Sequence, residues 1–216
     1  MLLLLAGGTA AAGEVEWKLL YDQADLQFQR GNLEQAELFA REALREAESA
    51  PGANQRATEL SLAKLVFMLR LRGKHEEALP LAQRLVTLAT KLHGAQDPNT
   101  AIALQNEAEI LFAHKRFAAA EMLHRRALAI FEKRYGTKNF QTATALHNVG
   151  TMLLAQEKYP EAEKFLRRAL AVKEQVLGPG HRSVAHTLNN LVLVLEAQGG
   201  NDEAAKYRKR LASDTK

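Results

Sequence analysis

TATALHNVGTMLLAQEKYPEAEKFLRRALAVKEQVLGPG, residues 142–180, is the stretch whose reading decides the fold. From Thr142 to Gln156, Leu146, Val149, Gly150 and Leu153 recur at helical spacing and share one face. Glu157-Lys158-Tyr159 makes a short turn, and Pro160 suits the first turn of a second helix, where its missing N–H has no intrahelical role. Between Glu161 and Val176, Ala162, Phe165, Leu166, Ala169 and Leu170 again form one face. Leu177-Gly178-Pro179-Gly180 stops that helix and turns the chain. The small residues Gly150 and Ala162 let the two helices approach closely.

The same pattern runs outward in both directions with a period of 42 residues. Gly52, Gly94, Gly136 and Gly178 form one column, and Ala36, Ala78, Ala120, Ala162 and Ala204 a second. Leu20, Leu62, Leu104, Leu146 and Leu188 form a third in the same register. Such a period is the signature of a stacked repeat, because no single unit can bury its apolar faces alone. The spacing predicts an all-α solenoid of about five antiparallel helix pairs. The units are approximately 14–52, 56–94, 98–136, 140–178 and 182–213, with residues 214–216 as a tail. The first unit is irregular, with Gln23 and Gln27 where the next has Leu65 and Leu69, and the last helix is short and basic. Both ends have the make-up of solubilising caps.

Composition agrees. Of 216 residues, 47% are hydrophobic and 25% charged, which is ordinary for a folded chain. Only five prolines and 6% aromatic residues favour helices over strands. There is no cysteine, so disulfides, thiolate metal sites and cysteine nucleophiles are excluded. The net charge of +4 resides in Lys206, Arg208, Lys209, Arg210 and Lys216, opposed there by Asp214 alone. The remaining body is neutral, which argues against a nucleic-acid docking face.

Residues 1–13, MLLLLAGGTAAAG, carry no charge. The apolar run Leu2–Leu5 and the small residues Ala10 and Ala12 read as the end of an export signal with an A-x-A site, although no basic segment precedes them. The expectation is a truncated signal peptide and a periplasmic or secreted protein. The alternatives are a disordered extension and a cytoplasmic protein. The segment is too short to span a bilayer, so stable membrane insertion is not expected.

These repeats resemble the tetratricopeptide repeat family, and the 42-residue period resembles its kinesin-light-chain-like subclass. HTLNNLVLVLEAQGG (186–200), EEALPLAQRLV (76–86) and AEKFLRRALAVKEQVLGPGH (162–181) carry the likeness. The resemblance covers residues 14–216 and implies a right-handed superhelix that binds partner proteins without catalysis or cofactor. It also implies that the first helix of each unit lines a concave groove. In that register Lys64, Asn106, Asn148 and Asn190 form one column, beside Gln105, His147 and Asn189. Glu109 follows one turn after Asn106, and Arg70 lies further along its own helix. Short amides carry both a donor and an acceptor and suit an extended peptide backbone. They equally suit bonds within the solenoid that keep hairpins in register. Lys64, Arg70 and Glu109 would bias the partner by charge. The positions that form a two-carboxylate clamp in one variant of this family hold Tyr21 and Asp25 here, so a chaperone adaptor is not expected.

Arg125-Arg126, Arg167-Arg168 and Lys209-Arg210 also recur at 42. Because Glu37–Arg41, Glu121–Arg125 and Glu163–Arg167 are i,i+4 pairs, a solvated helix face is the favoured reading over a basic stripe for acidic partners. No catalytic or metal-binding motif is present. The seven histidines make no H-E-x-x-H pair, and His93 and His181 fall at unit junctions suited to capping. The chain therefore reads as a non-enzymatic scaffold for a protein or peptide ligand, with neither nucleic acid nor metal. Self-association of the solenoid into a structural assembly is the alternative.

Overall fold

The computed structural model describes the backbone of residues 3–49 and 54–213 and the side chains of 13–49 and 54–212. Gly52 lies outside the described residues, as do the side chains on which the export reading rests. Among the described residues there are ten helices and no strand. They are α1 (Leu3–Gln29), α2 (Leu33–Ser49), α3 (Gln55–Leu71), α4 (His75–His93) and α5 (Pro98–Ala113). The series continues with α6 (Phe117–Tyr135), α7 (Phe140–Ala155), α8 (Tyr159–Leu177), α9 (Arg182–Ala197) and α10 (Asn201–Ser213).

The chain forms two compact units, residues 1–95 and 96–216. In the first, α1 packs on α2, α2 on α3 and α3 on α4. In the second, each helix from α5 to α10 packs on the next, and α7 also touches α9. Each unit is a stack of helix hairpins joined by short connections, the all-α solenoid arrangement that the period predicts.

Local chemistry sets the helix ends. Asn54 caps α3 by accepting the N–H groups of Arg56 and Ala57, each at 3.2 Å. Asp97 and Asn139 accept the N–H groups of Asn99 and Gln141 at 2.8 Å to cap α5 and α7. His181 caps α9, its Nδ1 accepting the Ser183 N–H at 3.0 Å. His93 does not cap: its Nε2 lies 2.9 Å from Glu59, because the last turn of α4 passes beside α3. Gly178 ends α8 at φ 82°, a conformation that disfavours any side chain.

The small-residue column is the seam of each hairpin. Ala36, Ala78, Ala120 and Ala162 are fully buried, and so are Leu62, Leu104, Leu146 and Leu188. Leu20 of the first unit is only half-buried, consistent with a capping hairpin. Phe165, expected on the apolar face of α8, is also half-buried, with the Arg125 guanidinium 5.0 Å above its ring.

The paired charges do more than decorate a solvated face. The nearly buried Glu37 accepts from Arg41 Nε at 2.8 Å, Arg72 Nη1 at 2.5 Å and Lys74 Nζ at 3.0 Å. Arg41 also reaches Glu77 of the next hairpin. The motif recurs in the second unit. Glu121 accepts from Arg125 and Gln156 at 2.7 Å and from Lys158 at 3.2 Å, and Arg125 donates onward to Glu161 at 2.5 Å. Arg167 bridges Glu163 and Glu203 in the same way, each at 2.7 Å. These carboxylates therefore staple consecutive hairpins within each unit.

Candidate functional site

The first helices of the hairpins carry the residues singled out in the sequence. Lys64 and Arg70 lie on α3 of the first unit. Gln105, Asn106 and Glu109 lie on α5, His147 and Asn148 on α7, and Asn189 and Asn190 on α9, all in the second unit. Their positions follow from local sequence. Leu104, Leu146 and Leu188 point inward with no more than 1% exposure, and the second residue after each, Asn106, Asn148 or Asn190, falls on a half-exposed side of its helix.

Asn106, Asn148 and Asn190 are each half-exposed, and Asn189 is exposed. Asn190 Nδ2 donates to Thr151 Oγ1 at 2.9 Å, and that hydroxyl donates to the His147 carbonyl at 3.0 Å. One amide of the column thus ties α9 to α7. Asn148 makes no side-chain hydrogen bond among the described residues and has its donors and acceptor available. Gln105 is half-buried, and its Nε2 is buried without a hydrogen-bond partner among the described residues. The exposed apolar side chains Ile102 and Leu193 stand on α5 and α9 beside these amides.

Lys64 is placed differently from the expectation of a groove charge. It is 8% exposed, its Nζ is 2.6 Å from Asp25 Oδ2 and 3.0 Å from the Tyr21 carbonyl, and it sits over the Tyr21 ring. Burial lowers its pKa, while the hydrogen bond and charge of Asp25 act the other way. That charge joins α3 to α1. Arg70 is half-buried, and burial lowers its pKa too.

Beneath His147 lies a polar cluster that the sequence reading missed. Lys173 of α8 is 2% exposed, and its Nζ donates to Thr187 Oγ1 at 3.0 Å and towards the Ser183 carbonyl at 3.4 Å. Burial lowers its pKa to about 8. Thr187 Oγ1 is also 3.1 Å from His147 Nδ1. His124 of α6 is 1% exposed with neither ring nitrogen bonded among the described residues, and burial lowers its pKa to about 4. The signal was available: Lys173 occupies the column of Ala47, Ala89 and Phe131, all buried and apolar. A charge in an apolar column marks an irregular core.

Among the described residues no group of three or more His, Asp and Glu side chains is arranged to hold a metal. None of the described helices is long and apolar enough to cross a membrane.

None of the curated proteins compared matches the chain. Among solved structures, it is similar to BtubC (BKLC) from P. vanneervenii, with 20% identity, a TM-score of 0.79, and coverage of 98% of this chain and 89% of that one. It is similar to a putative kinesin light chain with nearly identical TPR-like repeats from Podosopora anserina, at 17% identity and a TM-score of 0.78, covering 92% and 94% of the two chains. It is also similar to the apo form of RapI, at 18% identity and a TM-score of 0.80, covering 93% and 71%. At such identities these likenesses concern the fold. The tetratricopeptide repeat family pattern matches residues 57–133 and 141–211, well over half of the sequence. With that match, the 42-residue register and the stacked hairpins agreeing, the chain belongs to the tetratricopeptide repeat family and shares the fold of its kinesin-light-chain-like members.

Proposed function

We propose that this protein is a non-catalytic scaffold that holds an extended segment of a partner protein along the first helices of its second unit. The family supplies the general role, since tetratricopeptide repeats serve as protein-interaction scaffolds. The observation that carries the finer reading is Asn148, a half-exposed amide with no side-chain hydrogen bond among the described residues, in column with Asn106 and Asn190 on α5 and α9. Equal spacing along the chain becomes regular spacing across the helices. An extended backbone offers its own amides at regular intervals. Ile102 and Leu193 add apolar contact, and Gln105, His147 and Asn189 add polar contact on the same helices. Glu109, on α5 of the same unit, biases the partner by charge. Lys64, paired with Asp25, belongs to the α1–α3 joint of the first unit and not to this site.

A pull-down followed by mass spectrometry identifies the partner, and titration calorimetry then compares variants. Asn148→Ala should weaken binding without altering stability. Replacing Asn106, Asn148 and Asn190 together should cost on the order of 1–4 kcal/mol of binding, at about 0.5–1.5 kcal/mol per net hydrogen bond. Unchanged affinity in the folded triple variant would assign the column to the internal bonding that Asn190 already shows. If the chain instead captures only itself, concentration-dependent light scattering identifies a self-assembling protein. We also propose export directed by residues 1–13. N-terminal sequencing of protein from the native cell should find a chain beginning near Gly13, and an intact Met1 on cytosolic protein would end that idea.

A further inference from the structure

The bonding around Thr187 fixes the state of the His147 ring. Three neighbours meet its Oγ1: Lys173 Nζ at 3.0 Å, the Ser183 carbonyl at 3.1 Å and His147 Nδ1 at 3.1 Å. An ammonium only donates, so the hydroxyl accepts from Lys173. A carbonyl only accepts, so the single hydroxyl proton goes to Ser183. The remaining lone pair of the hydroxyl accepts from the ring, and Nδ1 carries the imidazole proton. Nε2 is then a bare acceptor. It makes no hydrogen bond among the described residues, and it is not among the polar atoms buried without a partner.

The ring also stays uncharged. Burial is the largest cause, and the basic groups facing it add to that: Lys173 from α8, His186 from α9 and His124 from α6. Together they push its pKa down to about 3. Ordinary histidines change from acceptor to donor near pH 6.5, but this one does not.

We propose that His147 is a specificity-determining acceptor, whose Nε2 commits this point of the α7 face to a hydrogen-bond donor on the bound segment. A main-chain N–H or a side-chain N–H or O–H fits, and a bare carbonyl or carboxylate is turned away. The inference rests on the groove reading above for its ligand, but the state of the ring can be tested without one.

Long-range 15N–1H NMR of the histidine rings in the full chain reads that state directly. The expected spectrum shows Nδ1 protonated and Nε2 pyridine-like, unchanged between pH 7 and 5. A ring protonated on Nε2, or one titrating near 6.5, overturns the proposal. Thr187→Val should release the tautomer and Thr187→Ser should keep it. If the valine variant does not fold, the serine variant and the wild type still decide. For recognition, the probe is a phage-displayed library of random dodecapeptides selected on the wild-type chain. Selected peptides should bind equally at pH 7 and 5, and His147→Phe should weaken them about three- to tenfold, the worth of one hydrogen bond. N-methylating each peptide amide, or deleting each side-chain donor, should reveal one position that matters to the wild type and not to His147→Phe. Finding no such position overturns the role of His147 but leaves the groove reading intact wherever Asn148→Ala still weakens the peptides. Peptides indifferent to both variants, or no binders at all, overturn the groove reading and the recognition role with it.

Discussion

Gly150 and Leu166 fill one space between them: a Cβ added at Gly150 would stand 2.7 Å from Leu166 Cγ and 3.4 Å from the Ala162 carbonyl. The repeat at 56–94 reverses the sizes, with Val66 and Ala82 at the equivalent positions, both buried. Gly150→Val should therefore overpack the α7–α8 hairpin and cost roughly 1–3 kcal/mol or more. Adding Leu166→Ala should recover part of that loss, because the pair then matches the Val66 and Ala82 arrangement. Urea unfolding midpoints of the single and double variants check it. A double variant less stable than both singles would refute the assigned pairing.

Glu37 links the first unit to acid. Burial alone would raise its carboxyl, but hydrogen bonds from Lys74, Arg41 and Arg72 overcome that and hold its pKa at about 2. The folded value lies below the unfolded one, so its contribution is complete above about pH 4.5 and fades as the pH falls towards 2. Glu37→Gln should remove about 1.5–3 kcal/mol at pH 7, the range for hydrogen bonds to a charged group. It should matter much less at pH 2.5. Equal destabilisation at both pH values would show that packing, not charge, is what the residue supplies.

Histidines give the second unit an earlier acid transition. His124 and His147 have folded pKa values of about 4 and about 3, below the ordinary 6.5, both chiefly through burial. An unfolded chain takes up these protons first, so stability is complete above about pH 6.5 and falls as the pH drops towards 4. Each ring contributes on the order of 2–3 kcal/mol to that loss. Lys173 acts at the other end: its folded value of about 8 lies below 10.5, so stability rises from pH 8 to 10.5. Trp17 is the single tryptophan, and its Nε1–H donates to Ser61 Oγ at 2.8 Å in the first unit. Between pH 6.5 and 4.5, urea resistance by NMR of α6–α9 should fall before the Trp17 fluorescence transition moves. His124→Leu should flatten the response, and an unaltered pH dependence would refute the assignment.

Among the described residues, two turns carry left-handed backbone without glycine. Lys115 and Glu157 have φ of 58° and 60°, where the equivalent positions of other units hold Gly31, Gly73 and Gly199. A side chain there costs roughly 1–2 kcal/mol, partly offset by the extra freedom glycine brings to the unfolded chain. Glu157→Gly should thus raise stability by about 0.5–1 kcal/mol. A lower thermal midpoint would show that the glutamate has a compensating contact.

By itself the sequence determined the family, the helix hairpins and the seam. A period of 42 with Leu, Ala and Gly columns leaves one arrangement, because apolar positions at helical spacing must face a neighbour and a small residue must mark each close approach. It also determined that Pro160 opens α8 and Gly178 closes it, since both act through their own backbone. Only the tertiary structure decided which polar residues are committed. Lys64 and Asn190 occupy the same column as Asn148, yet Asp25, 39 residues from Lys64, claims one and Thr151 the other. The column index records where a side chain sits on its helix, but not which atom of the next helix stands within 3 Å. The same holds for Arg125 and Arg167, whose i,i+4 partners were legible and whose second carboxylates, on the following hairpin, were not. Lys173, Thr187 and His147 meet because α8 and α9 pack around α7, and three-dimensional proximity alone turns three unrelated positions into one bonded chain.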